Sequence, residues 1–383
     1  MKSPVVLVDM AVERRSPAGS CVRLQALALC RDRVVHVVTG ASDLPTHPNL
    51  HVSKVRLPVQ PVLLRYLVFQ WQARRVMRRL MDTLPEGTQV QCTQGQWPGS
   101  HVSYAHFCHT AYLNGGWSQT GVGFLRTLAR WLNHRFNAWT EARTFAQADA
   151  VVVPSQGLAT RLIATFPALL GRVTVVANPV DVSSYERPPS FDRVGQRAEL
   201  GLRSDALVFC FVALGNFEHK GLGLLISALG VLPPEVRERI QCLVVGGQPG
   251  EIESYRALGQ AKGVNDHLVF AGLQRDVRPY LWSSDAFALP SAYETFSLAV
   301  LQASAAGLPV LVSDGLHGTE DYVRNGEEGW FVHRSIEGVA DGLLRAIRDY
   351  ERLPQMSRQS IDAIQKFSEP AFQAAWTEFY ASR

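Results

Sequence analysis

Lys220, Glu294 and Gln302 are the side chains in this sequence whose types and surroundings are best suited to chemistry on a charged ligand. In DAFALPSAYETFSLAVLQASAAGLPVLVSDGLHGTEDYV, from Asp285 to Val323, an apolar run ends at Pro290 and a polar turn carries Ser291 and Glu294. A helix is expected from about Phe296 to Ala306, after which Gly307-Leu-Pro leads into another apolar run. Open parallel sheets bind ligands at the carboxyl ends of their strands, where helix N-termini offer free N–H groups and a positive dipole to phosphates. The backbone of Thr295, Phe296, Ser297, Leu298 and Ala299 is therefore placed for a diphosphate. Glu294 can accept hydrogen bonds from sugar hydroxyls, and the Gln302 amide, eight positions on, can bond a ribose diol. The plainer alternatives are helix capping for Glu294 and packing for Gln302.

The second stretch is ALGNFEHKGLGLLISAL, where a strand ends near Ala213 and a helix starts around Gly221. Lys220 then stands close to a helix N-terminus, where a cation opposes the dipole unless an anion is bound beside it. Such a lysine can stabilise the charge of a leaving diphosphate.

The elements that must hold these groups are short Val-rich runs alternating with longer helix-period segments, the pattern of parallel strands buried on both faces. The first series is Val5 to Val8, Val34 to Val38, Val90 to Cys92, Val102 to Phe107, Ala150 to Val153 and Val173 to Ala177. The second is Leu207 to Ala213, Cys242 to Val245, Leu268 to Phe270, Ala286 to Leu289, Pro309 to Val312 and Trp330 to Val332. DVSSYERPPSFDRVGQRAELGL between them is polar and Pro-bearing, and reads as a linker. The expectation is an α/β chain of two Rossmann-like domains facing a cleft, with residues 1–180 and 205–360 as the domains and 181–204 as the linker. Residues 361–383 form a C-terminal helix whose Phe372, Ala375, Trp376 and Phe379 share one face, and that face is expected to pack back on the first domain.

Composition sets the outer limits. The 383 residues are 46% hydrophobic and 19% charged, which excludes a disordered or fibrous chain. A net charge of +4 is too mild for a dedicated nucleic-acid binder, so no nucleic-acid partner is expected. Cys21, Cys30, Cys92, Cys108, Cys210 and Cys242 are scattered without a CxxC pair, as expected for reduced structural thiols in a cytosolic protein. The N-terminal apolar run is cut by Asp9 and Glu13 and reads as a first strand rather than a signal peptide. No stretch approaches the roughly 20 apolar residues needed to span a bilayer. One helical segment, however, mixes Arg65, Arg74, Arg75, Arg78 and Arg79 with Leu64, Leu67, Val68, Phe69, Trp71, Val76 and Met77. A basic amphipathic helix of this kind can lie on an anionic membrane, and the Trp117 to Trp139 region, with Arg126, Arg130 and Arg135, raises the same expectation.

Taken together these motifs resemble the retaining glycosyltransferases of family 4, which have two Rossmann-like lobes, the GT-B fold. PSAYETFSLAVLQASAAGLPVLVSD resembles the family's E-x7-E donor segment, and FEHKGLGLLISAL its Lys-Gly phosphate segment. VVANPVDVSSY resembles the Asn-Gly-Val-Asp pattern that closes the first domain, with Pro179 in place of Gly. The C-terminal half is most similar to lipopolysaccharide core glucosyltransferases. The resemblance implies a nucleotide-diphosphate sugar, a UDP sugar above all, held by the second domain, and transfer of its hexose with retention to a hydroxyl of a cell-surface glycan held by the first. Glu294 would contact the donor sugar and Lys220 its diphosphate. In the first domain, SPAGSCVRLQALAL resembles the family's Gly-containing loop, which makes Gly19 a candidate for close backbone approach to the donor or acceptor. YAHFCHTAYL resembles the segment carrying a histidine toward the donor sugar, with His109, nearer the strand end, placed ahead of His106.

Two departures stand out. Gln302 occupies the place of the second Glu, and Asn216 lies where an Arg usually joins the Lys; a neutral His219 replaces that charge only in part. They keep open a rival reading, a sugar-nucleotide-binding or scaffolding protein with impaired catalysis. A DxD triplet is absent from the sequence, so the expectation is transfer without a metal or other cofactor, with Lys220 and the Phe296 helix N-terminus meeting the leaving charge. The absence of an obvious nucleophile suggests front-face attack, with the leaving phosphate oxygen taking the acceptor's proton. The chain is expected to be cytoplasmic, either free or peripheral on the inner face of a membrane.

Overall fold

The computed structural model describes residues 2–59, 62–116 and 124–383. Trp117 falls outside the described residues, as does the side chain of Arg126. The chain divides into two compact units, residues 1–179 with 369–383, and residues 180–368.

The first unit is built on seven strands: β1 (Val5–Val8), β2 (Val35–Thr39), β3 (Leu50–Lys54), β4 (Gln89–Thr93), β5 (Val102–Tyr104), β6 (Ala150–Val153) and β7 (Val173–Val175). They pair in parallel in the order β3-β2-β1-β4-β5-β6-β7. The second unit holds β8 (Leu207–Ala213), β9 (Ile240–Gly246), β10 (Leu268–Gly272), β11 (Ala286–Leu289), β12 (Val310–Ser313) and β13 (Gly329–Val332). These also pair in parallel, in the order β10-β9-β8-β11-β12-β13. Helices cover both faces of such sheets, which is why VVLV, AVVV and AFAL are buried at every position. In each sheet the strand order reverses once, between β1 and β4 and between β8 and β11. In open parallel sheets such a reversal is where ligands bind, at the carboxyl edge of the strands.

Several expectations need correction. β3 reads Leu-His-Val-Ser-Lys with only Leu50 fully buried; at the sheet's edge it lacks the apolar run that marks an interior strand. β5 ends at Tyr104, so residues 105–107 form a loop rather than the end of a strand. The segment 181–204 is not a free linker. Asp181 caps the turn Val182–Tyr185 and Asp192 caps the helix Arg193–Glu199, while Arg193 and Arg197 both bind Asp285 at the start of β11. These charges, together with the Phe191 ring packed edge to face on Trp282, tie it to the second unit.

The C-terminal segment also divides later than expected. The helix Leu353–Ala363 belongs to the second unit, and Ser360 donates to the Glu328 carbonyl there. Only the last helix, Glu369–Ala381, joins the first unit. Phe372, Trp376 and Tyr380 are buried against the helix Pro17–Leu29 and the sheet, and the Tyr380 hydroxyl donates to Gln91 Oε1 at 2.7 Å. All six cysteines are free and buried. Burial pushes the Cys92 and Cys108 thiols up to about 11 and those of Cys21, Cys210 and Cys242 up to about 12, far from reactive thiolates.

Candidate active site

In the second unit the loops after β8 and β11 meet at the strand-order reversal. After β8, Asn216 adopts left-handed backbone (φ 60°, ψ 45°) and opens a short helical turn, Phe217–Lys220. Glu251, on the helix Pro249–Ala261, accepts the Phe217 N–H at 2.7 Å and holds that turn in place. After β11, Ala292 N–H donates to the His219 carbonyl at 2.8 Å, and Ser291 Oγ lies 3.3 Å from the same oxygen. Gly221 makes this contact possible: its φ is +85°, and a Cβ there would sit 2.1 Å from the Pro290 carbonyl oxygen.

The result is an ion pair between Lys220 Nζ and Glu294 Oε1. Both side chains are partly shielded, 28% and 12% exposed, so each remains reachable by a ligand. The helix Leu298–Ala305 follows with Ser297 at its N-cap and no side chain capping it, which leaves its first N–H groups available to an anion. Phe296 and Ser297 are buried, Thr295 and Leu298 are half-buried, and Gln302 sits half-buried one turn further along. A cation, a carboxylate and uncapped amides at one sheet edge can divide the work of holding a phosphorylated sugar between phosphate and hydroxyls.

The Asn216 departure has a physical explanation here, whereas nothing in the structure explains Gln302. Asn216 occupies a left-handed position, where Asn is among the few non-glycine residues tolerated, and its side chain is exposed. His219 does not make up the missing charge. Burial lowers its pKa, and its Nε2 is committed to the Tyr293 carbonyl at 3.2 Å. A second cation does approach the turn: Arg334, beyond β13, donates to the Glu218 carbonyl at 3.3 Å. Neither Arg334 nor Glu251 carries a motif signal; Arg334 comes from the loop after β13 and Glu251 from the first turn of the helix Pro249–Ala261.

In the first unit, Gly19 lies inside the helix Pro17–Leu29, which Ser16 caps by accepting the Gly19 N–H at 3.2 Å. A Cβ at Gly19 would fall 1.7 Å from the Ala11 carbonyl oxygen, so the glycine serves a backbone crossing within the chain, and its amide is already engaged. Asp9, at the end of β1, is a residue the sequence reading passed over; burial pushes its carboxyl up to about 6 despite the Ala11 N–H it accepts.

The two histidines separate clearly. His106 packs its ring 4.1 Å from that of Tyr104, its Nε2 is enclosed without a hydrogen-bond partner, and burial brings its pKa down to about 4. His109 opens the short turn His109–Ala111, with its Nδ1 3.0 Å from His134 Nδ1. Burial, and then the neighbouring His134, bring its pKa down to about 3, so it is neutral at pH 7. The backbone at His109 and Thr110 is held by Glu141, a buried carboxylate of the helix Phe124–Gln147.

The profile of the family described as "Glycosyl transferases group 1" matches residues 192–363, and that of "Glycosyltransferase Family 4" matches residues 21–184. An uncharacterised glycosyltransferase of Methanocaldococcus jannaschii is 24% identical over 357 residues, covering 90% of this chain and 89% of that protein. A D-inositol 3-phosphate glycosyltransferase of Nocardia farcinica is 29% identical, over 63% of this chain and 56% of its own length. A lipopolysaccharide core biosynthesis glycosyltransferase, LpsE, of Rhizobium meliloti is also 29% identical, over 64% of this chain and 67% of its own length. Two solved structures share the fold. One is WaaG, a glycosyltransferase involved in lipopolysaccharide biosynthesis (TM-score 0.75, 18% identity, 98% of this chain and 99% of that one). The other is HepE of Anabaena in complex with UDP (TM-score 0.71, 18% identity, 100% of both chains). With one profile on each parallel-sheet unit, the chain belongs to the family 4 glycosyltransferases of the GT-B fold.

Gly221→Ala tests how the site is assembled. The strained φ and the clash with Pro290 should cost roughly 1–3 kcal/mol and separate the Lys220 and Glu294 loops. Thermal unfolding should show a lowered midpoint; an unchanged midpoint would mean that the two loops do not depend on each other's approach.

Proposed function

We propose that this chain moves a hexose, with retention, from a UDP-hexose to a hydroxyl of a cell-surface glycan such as lipopolysaccharide or exopolysaccharide. The observation that carries this reading is the Lys220 and Glu294 pair beside the uncapped helix Leu298–Ala305, at the carboxyl edge of β8 and β11. The UDP complex of HepE supports the choice of nucleotide, and the lipopolysaccharide-linked relatives support the acceptor class.

In the proposed step, Lys220 turns to the diphosphate and Glu294 accepts hydrogen bonds from the donor sugar, so the free-state ion pair is exchanged for ligand contacts. The bond from the anomeric carbon to the phosphate oxygen breaks, and the acceptor oxygen bonds to the same face. The acceptor's proton passes to the departing phosphate oxygen, giving UDP and the glycoside. The negative charge that develops is met by Lys220 and the helix amides, and no metal ion or cofactor takes part in the step as proposed. His109 serves as a neutral hydrogen-bonding group to a sugar hydroxyl, since its ring does not become a cation at pH 7. The exposed, left-handed Asn216 favours one second reading, a binder with little turnover.

Lys220→Ala should lower UDP release from UDP-glucose in the presence of a glycan acceptor by roughly 10²-fold or more, the usual cost of losing one transition-state charge contact. A wild-type rate in that variant would remove Lys220 from the mechanism. UDP-hexose binding without release across a panel of acceptors would favour the binder. The anomeric configuration of the product, read by NMR, tests retention.

The same reading includes an anionic membrane surface as a partner. Among the described residues no helix is long and apolar enough to cross a membrane. Two helices of the first unit nevertheless expose apolar side chains among arginines. On Val62–Met81, Tyr66, Phe69, Ala73 and Met77 face the core, while Leu64, Leu67 and Trp71 are exposed beside Arg74, Arg75, Arg78 and Arg79. On Phe124–Gln147, Trp131, Leu132 and Trp139 are exposed beside Arg135 and Arg143. Tyr66 and Phe136 join the two helices edge to face, and Arg74 and Trp139 line one small pocket. Trp71 and Trp139 are each 54% exposed, and the only acid on either helix is the buried Glu141. Each arginine near an anionic surface contributes about 1 kcal/mol. The protein should therefore sediment with phosphatidylglycerol vesicles at low salt, and an Arg75→Gln, Arg78→Gln, Arg79→Gln variant should lose most of that binding. Equal sedimentation with neutral phosphatidylcholine vesicles, or no loss in the variant, would contradict it.

A further inference from the structure

The helix Phe124–Gln147 meets the His109 turn through two polar residues seven positions apart, His134 and Glu141, which lie on one face two turns from each other. Glu141 is buried and accepts four hydrogen bonds. They come from the His109 N–H (3.0 Å), the Thr110 N–H (2.7 Å), the Thr110 hydroxyl (2.9 Å) and the Gln94 amide (3.0 Å). These fix the backbone of the turn. The ring is fixed separately: His109 Nδ1 and His134 Nδ1 lie 3.0 Å apart, with the rings of Phe107 and Tyr112 packed around the pair.

A hydrogen bond between two imidazole nitrogens holds one proton, so one Nδ1 must be the donor and the other the acceptor. A neutral imidazole carries a single N–H. The ring that donates at Nδ1 therefore presents a bare Nε2, and the ring that accepts presents Nε2–H. The bond makes the two tautomers complementary, and the surroundings of the two rings decide which one donates; without the partner, His109 would exchange between both forms independently. The same logic governs histidines whose second nitrogen is tied down to orient the first.

We propose that His134 is a positioning residue that holds His109 in one neutral tautomer, while Glu141 clamps the backbone of the same turn, so that His109 Nε2 offers a single hydrogen-bonding character to a sugar hydroxyl. The use made of that nitrogen rests on the role given to His109 above; the tautomer lock does not. Burial lowers the pKa of both rings, with His109 brought to about 3, which keeps both neutral at pH 7.

The test is imidazole ¹⁵N NMR of the full chain at pH 7, with His109 assigned through His109→Gln. The wild type should show one protonated and one bare ring nitrogen at His109. In His134→Phe both His109 signals should move toward the averaged position of exchanging tautomers. His134→Asn, which keeps a polar group at the same place, should restore the separation, and it guards against a folding defect in the Phe variant. Unchanged His109 signals in His134→Phe would overturn the lock. Turnover of UDP-glucose separates the two layers: about a tenfold loss of kcat/KM in His134→Phe with rescue in His134→Asn supports the whole proposal. Collapsed tautomer signals with unchanged turnover would overturn the catalytic use of His109.

Discussion

The candidate site of the second unit is organised around one ion pair, between a lysine and a glutamate 74 residues apart in the chain. They meet only because β8 and β11 are neighbours at the reversal of strand order, and because a glycine at 221 lets one loop cross the other's backbone. In the free protein each member satisfies the other, which limits the cost of two partly shielded charges before a ligand arrives. A phosphorylated sugar offers a replacement for both partners at once: phosphate for the lysine, hydroxyls for the carboxylate. On the proposed reading, a simple anion would replace only one of them and leave the other charge uncompensated.

The first unit follows a different logic. At the carboxyl edge of its sheet it carries two half-buried, weakly basic imidazoles, His106 and His109, and a buried Asp9 carboxyl raised to about 6. Low dielectric strengthens hydrogen bonds made by the two neutral imidazoles without supplying net charge, while Asp9, at about 6, is mostly ionised at pH 7. A surface of this kind suits hydroxyl recognition, whereas the charged edge of the second unit suits phosphate.

Much of this was legible in the sequence because its strongest signals are local. Val5 to Val8, Ala150 to Val153, Leu207 to Ala213 and Ala286 to Leu289 are continuous apolar runs, and the strands occupy the same residues. Lys220 and Glu294 stand at strand-to-helix turns, which have a fixed meaning in parallel sheets. What was not legible is whatever depends on partners distant in the chain. β3 pairs at an edge and needs little apolar content. Arg193 and Arg197 anchor an apparently free linker through Asp285, and Glu141 and His134 read as ordinary polar positions on a helix until the His109 turn is laid against them. Asn216 looked like a lost arginine, and only its backbone angles show why Asn suits that position.

The central claim is that Lys220 serves the phosphates and Glu294 the sugar, with each released from the other by the ligand. Titration calorimetry with UDP and UDP-glucose tests it most directly. The account predicts that Lys220→Ala weakens binding of both ligands. Glu294→Ala, which frees the lysine, should bind UDP at least as tightly as the wild type while losing whatever additional affinity the glucose confers. Equal weakening of UDP binding in both variants, or in neither, would contradict the account.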